Sequence, residues 1–339
     1  MRAYWIEPTK MLIHMEKLTV LIPFLNEKEE VCHTVANIRA TSGNEVDIML
    51  VDDASYDGYD YRQVARQFHA TYIKQEKRCG IAQSRDYAIE ACDTEFFLLL
   101  DGHMRFAESG WSHILLKAMK ENRRTLFCCR TCPILKDAEG NITWVRHKAS
   151  YGAYIDFEHL RWDLHWNHWD PAPDRPVIDI PVVLGGAYAC NKTYWKYLNG
   201  LKGLQVYGLD EQYISMKAWL EGGACQLLKT VETGHLYRTR FPYPVEEWYM
   251  VYNKLLLTEL LLTPEWKEPF LDKIVEEHSL FNFKRAGNTL LKKKEMIEAY
   301  TGYYDRIFTR PIESFIQRNS NFLVHNSVNG KSSTGDRKE

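Results

Sequence analysis

The stretch Phe96-Phe97-Leu98-Leu99-Leu100-Asp101-Gly102-His103 constrains this chain more than any other. Five large apolar residues run without a break, which fits a strand buried on both faces in a parallel sheet. In open α/β sheets, ligands bind beyond the carboxyl ends of the strands. Asp101 and His103 stand at such an end. Alternate residues of extended backbone point the same way, so both side chains reach toward one cation. A carboxylate oxygen beside an imidazole nitrogen suits a divalent ion, Mn²⁺ or else Mg²⁺. A turn acid next to a surface histidine has the same spacing, so the choice between the two rests on the rest of the chain.

The flanking pattern points to an α/β fold. Leu18 to Pro23 reads as a first strand, and Val31, Val35 and Ile38 recur at helical spacing in a helix ending near Arg39. A second strand at Val46–Val51 ends in Asp52-Asp53, and a helix over 61–69 leads to a short strand at 71–73. Arg78-Cys79-Gly80 opens a helix running to Ala91. Strands alternating with helices indicate a Rossmann-like, mostly parallel central sheet flanked by helices. No G-x-G-x-x-G and no G-x-x-x-x-G-K-S/T occurs, so a dinucleotide or P-loop phosphate site is excluded. A nucleotide held here needs a metal and arginines instead.

Beyond Asp101, helices are expected at 112–122 and 209–221, with strands at 125–129, 142–146 and 178–184. The aromatic run 151–175 reads either as ring-packed core or as an acceptor cleft. Gly185-Gly186 marks a close backbone approach to a ligand. Residues 246–318 look helical, and 319–339 has a disordered composition.

The formal net charge of -2 argues against a nucleic-acid partner. The 8 cysteines lack metal spacing and read as reduced thiols of a cytoplasmic protein. No run approaches the ~20 apolar residues of a membrane span, and the first residues lack a signal-peptide core. Peripheral contact with a membrane, through the C-terminal helices and Lys292-Lys293-Lys294, remains compatible with the sequence.

Several motifs now line up. The first half has Pro23-Phe24-Leu25-Asn26-Glu27, Val51-Asp52-Asp53-Ala54-Ser55, the run Gly80-Ile81-Ala82-Gln83-Ser84-Arg85-Asp86, and the acidic strand end. It resembles a family 2 glycosyltransferase of the GT-A fold. The second half has Gly185-Gly186-Ala187, Tyr207-Gly208-Leu209-Asp210-Glu211-Gln212 and Gly234-His235-Leu236-Tyr237-Arg238. These are similar to the catalytic domains of polypeptide N-acetylgalactosaminyltransferases and of chondroitin polymerases, as is Trp162-Asp163-Leu164-His165-Trp166. The resemblance spans roughly 18–245. It implies an N-terminal arm (1–17), a GT-A domain (18–245, divided into a nucleotide half 18–103 and an acceptor half 104–245), a helical extension (246–318) and a tail (319–339).

The resemblance also implies roles. Asp101, His103 and His235 would hold the metal. Asp53 would accept from the uracil or ribose, unless it or Asp52 caps the next helix. Arg78, Arg85, Arg238 and Tyr243 would lie at the diphosphate. Pro23, Asn26, Glu27, Gly185, Gly186 and Tyr207 would complete the UDP-sugar site. The acidic pair Asp210-Glu211 at a helix start, kept ionised by the helix dipole, supplies Glu211 as the base of an inverting reaction, with Asp210 on a sugar hydroxyl. Retaining polypeptide transferases carry Asn at the Glu211 position, Gly at Leu209 and Trp at Tyr207. The expected acceptor is a glycan, a lipid-linked sugar or a peptide. A non-catalytic sugar-binding module is the alternative from another class. A nucleotidylyltransferase needs a Gly-rich basic loop after its first strand, and Pro23 to Glu27 is not one.

Overall fold

The computed structural model describes residues 16–238 and 241–329. Its first half follows the alternation expected: β1 (Leu18–Phe24), α1 (Glu29–Ser42), β2 (Val46–Asp52), α2 (Tyr61–Gln67), β3 (Thr71–Lys74), α3 (Ile81–Ala91) and β4 (Phe96–Leu100). β2, β1 and β4 pair in parallel, and β3 continues the set beside β2. β4 is buried on both faces, as its composition requires. Phe97 and Leu99 enter one core cluster, while Phe96, Leu98 and Leu100 enter the other. Fully burying each such side chain contributes about 1.5–3 kcal/mol.

The second half extends this sheet with β5 (Met104–Phe106), α4 (Trp111–Glu121), β6 (Thr125–Lys136), β7 (Ile142–Trp144), β8 (Ala153–Ile155), β9 (Leu164–Trp166), β10 (Val177–Asp179), β11 (Ala187–Asn191), α5 (Lys192–Tyr197), α6 (Asp210–Leu220) and β12 (Ala224–His235). Among the described residues the strand order is β10-β12-β6-β11-β4-β1-β2-β3, with β5 on β12, β7 on β6, and β8-β9 as a separate ribbon. β11 is antiparallel to both β4 and β6, and β12 is parallel to β6. β4, β6 and β12 therefore run the same way, and their carboxyl ends lie at one edge of the sheet. That geometry brings residue 101 toward residue 235.

Two expectations need correction here. The strand expected at 178–184 is only β10, followed by an isolated bridge at Val182. Ile180, Val182, Val183 and Leu184 are buried by packing rather than by a ladder. The tail expected from 319 is ordered through its first eleven residues. The helices α7 (Glu247–Leu261), α8 (Pro264–Glu277), α9 (Leu280–Leu291), α10 (Lys294–Ile307) and α11 (Ile312–Asn329) follow one another, and the last carries through 319. Ile312, Phe315, Asn319 and Phe322 share one buried stripe. Asn319 clamps β8 by accepting from the Ile155 N–H and donating to its carbonyl, both at 2.8 Å. Residues 1–15 of the expected arm and 330–339 of the expected tail lie outside the described residues.

Candidate active site

The register of the sheet assembles the three expected metal ligands. Asp101 follows β4 directly, and its N–H donates to the Gly186 carbonyl at 3.0 Å. β5 turns back and pairs with the end of β12, placing Met104 opposite His235. The Leu236 N–H donates to the His103 carbonyl at 3.2 Å. One ligand atom each from Asp101, His103 and His235 then lie within 4.8 Å of one another. The two imidazoles meet edge to face, with centroids 4.7 Å apart.

The protonation states suit a cation. Burial opposes ionisation of Asp101, but the His235 ring and the charge of Arg85 outweigh it and hold its carboxyl at about 2. Burial lowers the His235 imidazole below its ordinary 6.5 and so favours the neutral, ligating form. His235 Nδ1 is buried with no hydrogen-bond partner among the described residues. His103 turns Nδ1 to Glu27 Oε2 at 3.1 Å, which leaves Nε2 as its ligating atom. Arg238 forks the same Glu27 carboxylate, with Nη1 at 2.7 Å from Oε1 and Nη2 on Oε2. Burial works against the Glu27 anion, yet His103 and Arg238 hold it below its ordinary 4.5.

Arg85 lines the cavity, as the resemblance implies, and its guanidinium is already engaged by acids. It is buried, and it pairs with Asp101 at 3.2 Å, with Asp210 in closer contact, and with Glu211 at 3.9 Å. Its Nη2 also donates to the Gly185 carbonyl at 3.2 Å. Three carboxylates surround this one guanidinium, so Arg85 is also their counter-charge. Asp210 is engaged with Arg85 and lines the cavity. The excess of negative charge is a second reason the site fits a divalent cation.

Glu211 lies in the first turn of α6 and lines the same cavity. Burial raises its carboxyl above the ordinary 4.5, and the nearby Arg85 offsets this only in part. The paired glycines accommodate side chains rather than a ligand. A Cβ on Gly185 would sit 1.8 Å from Glu211 Oε1, and one on Gly186 would meet His235 Cδ2 at 3.0 Å. Leu209 caps α6 at φ +68, where a non-glycine residue pays roughly 1–2 kcal/mol.

The cavity has a volume of about 310 Å³ and is lined by Pro23, Glu27, Asp53, Arg78, Arg85, Tyr207, Arg238 and Tyr243 as well as Asp101, His103, His235 and the acidic pair. Asn26, Gly185 and Gly186 support it from behind, outside that lining. Asn26 accepts from the Tyr56 N–H at 2.9 Å and tethers the Pro242 carbonyl at 3.4 Å. Asp53 accepts from the N–H groups of Cys79 and Gly80 at 2.6 and 2.8 Å, which fixes the loop before α3, and each oxygen keeps a lone pair for a ligand. Neither Asp52 nor Asp53 caps a helix. Asp60 caps α2, and Asp52 holds Ser55 and Tyr72. Arg78 stacks on Tyr243 at 4.8 Å and donates to the Pro244 carbonyl.

One residue escaped the sequence reading altogether. Asn253, fully buried in α7, donates to the carbonyls of Gln205, Tyr207 and Gly208 at 2.8, 3.0 and 2.9 Å, and it accepts from the Gln205 N–H at 2.7 Å. The helical extension thus shapes the wall of the cavity. The aromatic run divides. Phe157 and Trp162 are core, with Trp162 Nε1 on Thr258, whereas Trp166 reaches Tyr237 at 5.1 Å beside His235.

A parallel nucleotide half meeting a mixed second half, with this strand-end site between them, is the GT-A glycosyltransferase arrangement. Residues 19–167 match the glycosyl transferase family 2 profile. Among curated proteins, polypeptide N-acetylgalactosaminyltransferase 5 of Caenorhabditis elegans is 24% identical over 295 residues, 82% of this chain and 44% of the relative. The chain spans about half the length of the curated relatives it matches. Among solved structures, GalNAc-T7 with UDP, GalNAc and Mn²⁺ superposes with a TM-score of 0.74 at 17% identity, over 91% of this chain and 58% of that one. TarS 1-349 of S. aureus in complex with UDP-GlcNAc gives 0.52 at 13% identity, over 91% and 92%. These structural likenesses establish the fold.

Proposed function

We propose that the chain transfers a hexose or N-acetylhexosamine from a UDP-sugar to an acceptor hydroxyl, with a divalent metal and with inversion at the anomeric carbon. The observation that carries this reading is the convergence of Asp101, His103, His235 and Glu211 on one cavity. A divalent cation, Mn²⁺ by donor type and by analogy with GalNAc-T7, would supply positive charge to the departing diphosphate. Arg78 and Arg238 line the same cavity and offer guanidinium donors to that group. In the transfer, the C1–O bond to the diphosphate breaks and a C1–O bond to the acceptor forms. Glu211 takes the acceptor's hydroxyl proton, and a carboxyl raised above its ordinary value suits that task. Asp210 and Arg85 hold Glu211 and Asp101 in place. The intact metal set and acidic pair weigh against a non-catalytic binding module. The acceptor is a glycan, a lipid-linked sugar or a peptide, and the free thiols of the eight cysteines support a cytoplasmic setting.

A second reading has support in the curated relatives, which are named as polypeptide N-acetylgalactosaminyltransferases. It is a retaining transfer of GalNAc to a protein. A thermal-shift screen of UDP- and GDP-sugars with and without Mn²⁺ identifies the donor, since stabilisation follows occupancy. NMR of the product's anomeric proton then decides the stereochemistry. The inverted configuration supports Glu211 as base, and a retained one overturns that role.

A further inference from the structure

The outward face of α9 belongs to none of the chemistry above. Leu280, Phe281 and Leu291 are 61%, 72% and 72% exposed. The opposite face of α9 packs inward through Ala286, Phe283 and Leu290. Phe281, Lys284, Asn288 and Leu291 recur at three- and four-residue spacing, so they form one exposed stripe about 15 Å long. From His278 to Lys294 the chain carries Lys284, Arg285, Lys292, Lys293 and Lys294 and not one acid, although the whole chain is net negative. Lys284 and Lys292 pair with no carboxylate among the described residues. Arg285 is bound to Glu246, Lys293 lies over Tyr252, and Lys294 pairs with Glu298.

We propose that this face of α9 docks the protein on an anionic lipid bilayer. Large apolar side chains flanked by lysines are the composition of a helix lying in a membrane interface. The rings and Leu side chains enter the acyl boundary while the lysine stems extend their charge to the headgroups. Charge complementarity selects an anionic surface. A second copy is a poorer occupant, because a two-fold contact through this stripe sets Lys284 and Lys292 against their own counterparts. None of the described helices is long and apolar enough to cross a membrane, so the contact is peripheral. The docking face is independent of the proposed transferase activity.

The test is co-sedimentation of the full chain with vesicles of phosphatidylcholine alone and of an equal mixture with phosphatidylglycerol. The expected result is salt-sensitive binding to the anionic vesicles only. Phe281→Ser with Leu291→Ser, and separately Lys284→Glu with Lys292→Glu, each weaken it by about tenfold or more. UDP binding by the same preparations stays at the wild-type level and reports that the variants are folded. Equal binding to neutral vesicles, no binding to either, or wild-type binding by both variants overturns the proposal. A concentration-dependent dimer in sedimentation velocity that the Phe281→Ser, Leu291→Ser change abolishes would assign the face to self-association instead.

Discussion

Glu27 Oε2 lies 3.1 Å from His103 Nδ1, and the carboxylate that makes this contact is also forked by Arg238. One acid from the loop after β1 therefore sets the tautomer of a metal ligand and anchors a residue beyond β12. Removing its charge frees both. Glu27→Gln should weaken Mn²⁺ affinity by about 10–100-fold, the usual effect of losing a partner that orients a ligating histidine. Electron paramagnetic resonance of free Mn²⁺ during titration measures it. Unchanged affinity would mean that His103 is held by its backbone alone.

Glu211 carries a pH signature. Burial raises its carboxyl above 4.5, Arg85 opposes the shift, and Asp101 adds to it. A base acts only when deprotonated, so kcat/KM should rise with pH through an apparent pKa above 4.5 and level off beyond it. Glu211→Gln should lower kcat by roughly 10²–10⁴ and leave UDP binding intact. An acid limb at or below the ordinary carboxylate value would remove the argument from burial.

Gly185 tests the seat of that base. An alanine Cβ there would lie 1.8 Å from Glu211 Oε1, so the carboxylate must move. Gly185→Ala should lose transfer nearly as completely as Glu211→Gln. UDP affinity should hold, because Gly185 lies outside the cavity lining. Steady-state kinetics beside UDP titration makes the comparison.

Asn253 connects the helical extension to the donor site. Asn253→Ala leaves one buried N–H and three carbonyls of the 205–208 segment without their partner, at a cost of about 1–3 kcal/mol for each group stranded from water. A melting temperature lowered by several degrees and a raised KM for the UDP-sugar are expected. A fall in stability with unchanged KM would make Asn253 a purely structural residue.

Much of this site was legible because strand ends are local. The run before Asp101 singled out Asp101 and His103, and the family resemblance of Gly234-His235-Leu236-Tyr237-Arg238 added His235; the fold brings the three together. The ion pairs of Arg85 were not legible, for the opposite reason. Its three carboxylates come from β4 and α6, and only the folded sheet shows that its charge is already balanced. Asn253 gave no signal, since a buried asparagine in a Leu-rich helix looks like any interruption of an apolar face. The 178–184 segment read as strand because its burial is real, but packing supplies most of that burial. The end of α11 read as disorder because its polar composition hides the stripe Ile312, Phe315, Asn319 and Phe322.

The central claim is that Asp101, His103 and His235 bind a divalent cation that takes part in holding the nucleotide. Isothermal titration of UDP into the wild-type protein and into His235→Ala, each with Mn²⁺ and with EDTA, tests it directly. The account predicts that Mn²⁺ tightens UDP binding to the wild type by at least about tenfold, and that His235→Ala binds UDP equally weakly in both conditions. Equal UDP affinity with and without Mn²⁺ in the wild type, or full Mn²⁺ dependence in His235→Ala, would contradict it.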